Sequence, residues 1–295
     1  MQSVIRIGSR ESRLAVIQAE IIKNQILKAS PGTEVQIVTM KTTGDRILDK
    51  SLDQIGGKGL FVKELDRALL EGKIDLAVHS LKDMPMETPG ELPVLAYAKR
   101  EDPRDVLVFS EGIQELPKGG VIGTSSRRRK LQLLSLYPGC TCRGIRGNVQ
   151  TRLKKLKEEA FDATVLAAAG LARLGMEQIA GHYFSVEEMV PAAGQGILAV
   201  QGRRGENWDW ISRVDHRKSR AAALAERQFV AALDGGCTSP VAAYADINGT
   251  ELMLTGLYYR ESDGQYFKEI LTGTADKPQQ TGEMLADRMR RKYGK

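Results

Sequence analysis

The parts of this sequence able to do chemistry are a carboxylate beside a lysine, several arginine-bearing turns, and a cysteine behind paired glycines. His79-Ser80-Leu81-Lys82-Asp83-Met84-Pro85 stands where an apolar run gives way to a loop. A carboxylate placed there can hold a positive charge or move a proton. Taken by itself, the segment reads more simply as a Lys-Asp surface turn ahead of Pro85. Gly123-Thr124-Ser125-Ser126-Arg127-Arg128-Arg129-Lys130 puts small hydroxyl residues and free backbone N–H groups at a helix start, a setting that favours anions. Its arginines add bidentate grip on carboxylate or phosphate. Cations there oppose the helix dipole, a cost that makes sense if an anion occupies the turn. A solvated basic face is the plain alternative.

Arg146-Gly147-Asn148-Val149-Gln150-Thr151-Arg152 repeats the theme, Arg10 with Ser12 makes a third such site, and Arg173 after Ala169-Gly170 a fourth. Each alone is weak. All follow expected strands, however, and ligands of open α/β folds bind beyond the carboxyl ends of the strands. The basic positions should therefore converge on one cleft, suited to a ligand with several carboxylates or phosphates.

Cys237 follows Gly235-Gly236 and could anchor a group covalently, although a buried or idle thiol is the simpler reading. Cys140-Thr141-Cys142 has no companion pair, and His79, His182 and His216 show no ligand spacing, so no metal site is expected. His79 by itself reads as a satisfied core histidine. Gly56-Gly57-Lys58-Gly59 lacks the spacing of a P-loop and reads as a lid tip or a plain flexible loop. Pro191-Ala192-Ala193-Gly194-Gln195-Gly196 marks a crossing between domains.

Short apolar runs alternating with helical periodicity must position these residues. Strands are expected over 4–7, 35–38, 74–78, 106–109, 121–122 and 163–167. Helices are expected from 60 to 70 and from 149 to 160, with another around Leu131, Leu133 and Leu134. The first helix should bury Leu14, Ala15, Ile17, Ile21, Ile22 and Ile26. This alternation argues for parallel sheets covered on both faces. The tail differs: a helix over 219–233, strands over 241–245, 252–258 and 266–271, and a closing basic helix make a small α+β unit.

At 295 residues the chain exceeds what one core usually fills. With 42% hydrophobic and 27% charged residues it is a globular protein. No apolar run approaches the roughly 18 residues of a membrane span, and no secretory leader is visible at Met1. Three cysteines do not make a disulfide framework, so a reduced, cytoplasmic protein is expected. A net charge of +6 calls for an anionic partner. An aromatic content of 5% leaves little for stacking on bases, although the basic run at Arg127 keeps a nucleic-acid binder in view beside a solute-binding clamshell.

Together the motifs resemble the porphobilinogen deaminase (hydroxymethylbilane synthase) family: His-Ser-x-Lys-Asp-x-Pro, Gly-Thr-Ser-Ser-x-Arg-Arg, Arg-Gly-Asn-Val-x-Thr-Arg and Gly-Gly-Cys-x-x-Pro, in order from Arg10 to Cys237. The resemblance implies an α/β fold with two periplasmic-binding-protein-like domains forming a clamshell, plus a small C-terminal α+β domain. Their bounds would be 1–97 with 194–213, 98–193, and 214–295. It implies a transferase that joins four porphobilinogen molecules head to tail, releasing ammonia and then hydroxymethylbilane. The primer would be a dipyrromethane cofactor, fixed by a thioether to Cys237.

On the same ground Asp83 matches the catalytic aspartate, which stabilises the cation left by ammonia loss. Ser80, Lys82, Thr124, Ser125, Ser126, Arg128 and Arg129 match cofactor-binding positions. Arg10, Ser12, Gln18, Arg146, Arg152, Arg173, Gln195 and Lys58 match substrate-binding ones. Arg127 departs from the family's usual apolar residue and is given no ligand contact. The implied protein is a cytoplasmic monomer whose partner is porphobilinogen, with no nucleic acid and no membrane.

Overall fold

Three β-sheets organise the residues described by the computed structural model, which are 4–46, 59–235 and 240–294. The first sheet contains β1 (Ile5–Arg10), β2 (Val35–Met40), β3 (Leu76–Ser80), β4 (Val94–Tyr97) and β10 (Leu198–Gly202) in the order β2-β1-β3-β10-β4. The second contains β5 (Asp105–Phe109), β6 (Val121–Gly123), β7 (Thr141–Arg143), β8 (Ala163–Ala167) and β9 (His182–Tyr183) in the order β7-β6-β8-β5-β9.

The two sheets follow one pattern. In each, one strand pairs in parallel with both neighbours: β1 with β2 and β3, β6 with β7 and β8. In each, the fourth place is antiparallel: β10 against β3 and β4, β5 against β8 and β9. The sheets are thus mixed, where the alternation of elements predicts wholly parallel ones. The cause is connectivity. β5 arrives from β4 through residues 98–104, and β10 arrives from β9 through 184–197, neither stretch holding a helix. A strand delivered from the other sheet lacks the helical crossover that imposes parallel pairing.

The helices that matter to the site are α1 (Arg13–Ala29), α2 (Thr43–Arg46), α3 (Lys63–Leu70), α4 (Arg127–Leu136), α5 (Val149–Glu158) and α6 (Ala168–Leu174). Ser12 caps α1 by accepting from the Ala15 amide. Of the stripe expected on α1, Ala15, Ile22 and Ile26 are buried, but Leu14, Ile17 and Ile21 are only half-buried, and Gln18 and Ala19 take their place. The buried face is rotated because Gln18 turns inward to hydrogen-bond Ser80. Ile22 and Ile26 pack with Ile5, Ile7, Val35 and Trp210 in the first core. Each such side chain contributes about 1.5–3 kcal/mol through burial.

Past β10, a one-turn helix α7 (Ile211–Val214) leads to α8 (Arg217–Ala232). The third sheet is an antiparallel meander of β11 (Ala242–Asn248), β12 (Glu251–Arg260) and β13 (Gln265–Thr274), followed by α9 (Pro278–Tyr293). Phe229 of α8 and Leu285, Ala286 and Met289 of α9 share a core with Leu252 and Leu254. Gly282 lets α9 lie directly on α8, since a Cβ there would stand 2.4 Å from the Ala225 carbonyl oxygen. Among the described residues, no helix is long and apolar enough to cross a membrane.

Candidate functional site

Strand β3 runs two residues further than its apolar run predicts, so His79 and Ser80 lie within the first sheet. A single 3-10 turn, Leu81–Asp83, then carries Lys82 and Asp83. Asp83 shares a pocket with Arg10, Gln18, Phe61, His79 and Ser80. Gln18 and Ser80 bond each other at 2.9 Å. Arg10 pairs with Asp45 of α2, and its guanidinium lies 4.3 Å over the Phe61 ring.

Across from this wall stands the start of α4. Thr124 accepts from the Ser126 amide at 3.2 Å, Ser126 caps the helix by accepting from the Arg129 amide, and Ser125 donates to the Ile145 carbonyl at 3.0 Å. Arg128 and Arg129 are 5% and 6% exposed and converge on Asp105, which has no exposed surface. Arg128 reaches one carboxylate oxygen at 2.7 Å, and Arg129 reaches the other at 2.7 and 3.2 Å. Each also donates to a carbonyl, Arg128 to Val190 and Arg129 to Val165, both at 2.8 Å. Burial alone would push the Asp105 carboxyl up, but the two guanidiniums hold it well below the usual carboxylate range.

Gln195, in the return crossing, joins the two sides. Its amide nitrogen donates to Asp105 at 2.9 Å and to the Pro103 carbonyl at 2.7 Å, while its oxygen accepts from Lys82 at 3.2 Å. Burial pushes the Lys82 ammonium down to about 8, helped by repulsion from Arg129. Arg152 donates to the Gly147 carbonyl at 2.9 Å. Burial and then repulsion from Arg129 push it down to about 10, against attraction from Asp83. Asp83, on the first sheet's side, therefore lies within electrostatic range of Arg152, carried by the second. Arg146 also repels Arg152, and its Nη1 is buried without a hydrogen-bond partner among the described residues.

Arg173 of α6 donates to the Gly196 carbonyl at 2.6 Å, and its Nε is buried without a partner among the described residues. Burial brings it down to about 10. Gly196 has φ +88°, and a Cβ there would come within 2.4 Å of the Glu101 carbonyl oxygen. The crossing can pass so close to residues 98–104 only as glycine.

The structure thus brings together Lys82, Asp83, Gln195, Arg128, Arg129, Arg146 and Arg152, and sets Arg10, Gln18 and Ser80 beside them. Ser12 is engaged as a helix cap, and Arg173 on the Gly196 backbone. Lys58 and Cys237 lie outside the described residues, as does most of the expected lid. Arg127 turns away, pairing with Glu261 at 3.1 Å. Cys140 is buried and Cys142 half-buried, and burial pushes the Cys142 thiol up to about 11, which makes it a poor nucleophile. Among the described residues, no cluster of three or more His, Cys, Asp and Glu side chains could hold a metal.

Sequence reasoning missed Asp105 and Phe61. Phe61 carries no signal. Asp105 carries an indirect one, since adjacent arginines that enter a core require a buried carboxylate.

Two family models match the chain: "Porphobilinogen deaminase, dipyromethane cofactor binding domain" over residues 5–208, and "Porphobilinogen deaminase, C-terminal domain" over residues 221–291. The porphobilinogen deaminase of Ruminiclostridium josui is 54% identical over 97% of both chains. That of Acetivibrio thermocellus is 52% identical, again over 97% of both. Among solved structures, the second substrate binding domain of a putative amino acid ABC transporter from Streptococcus pneumoniae is 16% identical, at a TM-score of 0.45, over 72% of this chain and 90% of that one. That likeness is too distant to bear on function. Full-length identity above half, with both family models in register, settles the descent of the chain: it belongs to the porphobilinogen deaminase family.

Proposed function

We propose that this protein is a transferase of porphyrin and heme synthesis. It joins four porphobilinogen molecules head to tail, releases ammonia, and yields hydroxymethylbilane. The observation that carries the reading is the surplus of cations facing Asp83. Among the described residues Asp105 is the carboxylate that answers Arg128 and Arg129, while Lys82, Arg146 and Arg152 gather beside them. Depressed pKa values at Lys82 and Arg152, and an Arg146 Nη1 buried without a partner among the described residues, fit a site built for a polyanion. Each pyrrole of the substrate carries an acetate and a propionate.

The same donor set fits a dipyrromethane cofactor, whose four carboxylates suit clustered guanidiniums and hydroxyls. When bound, that group would supply the free pyrrole carbon to which the first unit is joined. The thioether anchor is assigned to Cys237. Lys82, Ser80, Thr124, Ser125, Ser126, Arg128 and Arg129 are assigned to the cofactor; Arg10, Ser12, Gln18, Arg146, Arg152, Arg173, Gln195 and Lys58 to substrate.

Asp83 is the catalytic residue. Its carboxylate faces the positive charge left when ammonia departs and accepts from pyrrole N–H groups, which stabilises charge where it develops. The arginines fix the carboxylates and so orient the ring for attack. Residues 1–97 with 194–213 form the domain bearing Asp83. Residues 98–193 form the arginine-bearing domain, and 214–295 carry the anchor. The crossings through 98–104 and 184–197 let the first two open and close on a lengthening product.

The protein is assigned as a cytoplasmic monomer acting on a small molecule, with neither nucleic acid nor membrane as partner. Burial of Arg128 and Arg129 counts against a nucleic-acid partner, because two of the four cations at 127–130 lie where a duplex cannot reach them. Intact mass of the purified protein and its Cys237→Ala variant tests the proposal. Excess mass of two linked pyrroles on the first alone is expected. An unmodified protein that stays unmodified after incubation with porphobilinogen would overturn it.

A further inference from the structure

His79 does more than fill the core. Strands β3 and β10 pair with His79 opposite Ala199 and Ala77 opposite Gln201, so His79 and Gln201 project from one face of the sheet, one diagonal step apart. The imidazole Nε2 lies 3.0 Å from the Gln201 side-chain oxygen. Gln201, 1% exposed, donates its amide nitrogen to the Leu92 carbonyl at 3.0 Å. A carbonyl only accepts, so the nitrogen end of Gln201 is fixed at Leu92 and its oxygen is fixed at His79. Nε2 must then carry the proton.

Nδ1 is left as a lone-pair acceptor, with no hydrogen-bond partner among the described residues, on a ring that lines the pocket containing Asp83. The charged groups facing the ring are Asp83 and Arg10, with Asp66 of α3 behind Gln201. Burial pushes the imidazole down to about 4, so the ring stays neutral and does not compete for Asp83.

We propose that His79 is a second substrate-contacting acceptor beside Asp83, and that Gln201 is the positioning residue that locks its tautomer. This deepens, and rests on, the function proposed above. A pyrrole substrate has carboxylates on one edge and nitrogen donors on the other. Asp83 and Nδ1 of His79 accept only, so they repel carboxylates and receive the N–H groups. Arg152, within electrostatic range of Asp83, and Arg129 and Arg146, within range of Arg152, do the reverse. One binding orientation results.

The test begins with two-bond proton–nitrogen spectra of 15N-histidine-labelled full-length protein. The chain has three histidines, and the His79→Asn variant identifies the signal of interest. The wild type should show a neutral Nε2–H ring, unchanged between about pH 6 and pH 8. Gln201→Glu should raise the titration of the ring into that range, and Gln201→Met should mix its tautomers. A wild-type ring protonated on Nδ1, or one titrating near its ordinary value, overturns the inference.

Kinetics supply the second arm. His79→Asn places an amide oxygen near the Nδ1 position and should keep kcat/KM within about tenfold, whereas His79→Leu should lose on the order of a hundredfold, although both lower the melting temperature alike by removing the donor to Gln201. Equal losses in both, tracking a lowered melting temperature, would mean a packing role only. The spectra need no substrate, so a correct tautomer in a protein that never makes tetrapyrrole would sink the functional reading. An active enzyme with the wrong tautomer would sink this one.

Discussion

Replacing Asp105 with asparagine should cost the protein about 3–5 kcal/mol, the usual penalty for leaving buried charge unpaired. Asp105 is fully enclosed and receives Arg128, Arg129 and Gln195 on its two oxygens. An amide in its place keeps one acceptor, but it removes the charge and turns an NH2 group toward the Arg128 nitrogen that now sits 2.7 Å away. Two guanidiniums without exposed surface to speak of would then share no counter-charge. At about 1.4 kcal/mol per decade, the folding equilibrium should weaken by two to three and a half orders of magnitude. Urea unfolding followed by circular dichroism measures this as a lower midpoint at an unchanged slope.

The pH dependence gives an independent check. The folded carboxyl is held far below its unfolded value of about 3.9, so its contribution is complete above that pH. It is lost as the pH falls toward the folded value. The gap between wild type and variant should therefore be widest near pH 7 and narrow below about pH 4. A variant as stable as the wild type at pH 7, or a gap indifferent to acid, would show that the two arginines do not depend on Asp105.

Three other perturbations separate chemistry from support. Asp83→Asn should leave the unfolding midpoint within about 0.5 kcal/mol of wild type yet nearly abolish turnover; wild-type-like rates would remove Asp83 from the mechanism. Lys82 should lose its charge as pH rises through about 8, so KM for porphobilinogen should climb above that pH. In Lys82→Arg the climb should vanish; its persistence would place the titrating group elsewhere. Because the folded pKa lies below the ordinary value, the unfolded chain binds more protons between the two, so Lys82 makes stability rise with pH across that window. Glu226→Gln should destabilise by about 3 kcal/mol or more, since the fully buried carboxylate takes Arg100 at 2.7 Å and the amides of Gly194 and Ala245. Limited proteolysis should then release the third sheet first, and an unchanged digest would refute that role.

What the sequence discloses and what it hides divide along the range of the interaction. Strand and helix positions follow from periods of two and 3.6 residues, so β5 and β8 are legible within a residue, and β1 and the meander β11–β13 within three. The antiparallel places of β5 and β10 are not, because direction is set by where the chain arrives from, across two long crossings. Arg10, Arg128, Arg146 and Arg152 stand out because each follows a strand with small or hydroxyl residues nearby. Their partners do not. Asp105 is 24 residues from Arg129, and Gln195 is 113 residues from Lys82, with no local pattern linking either pair. His79 reads as a satisfied core histidine and is one, buried and hydrogen-bonded, but its partner Gln201 lies 122 positions away, where no local pattern points to it.

The most instructive mismatch concerns the arginines themselves. The sequence suggests that all of them await an anion, whereas Arg128 and Arg129 share a carboxylate supplied by the protein. This internal pairing strengthens the case for a polyanion. Asp105 between two guanidiniums leaves one positive charge over; Lys82, Arg146 and Arg152 add three more, of which Asp83 offsets one. Had the cluster been built only to hold the domain together, a second buried carboxylate would have been the stabilising choice, since uncompensated cations oppose folding. On the function proposed above, a ligand with several carboxylates would supply the missing charge. Asp105 then sets how rigidly Arg128 and Arg129 are presented to it.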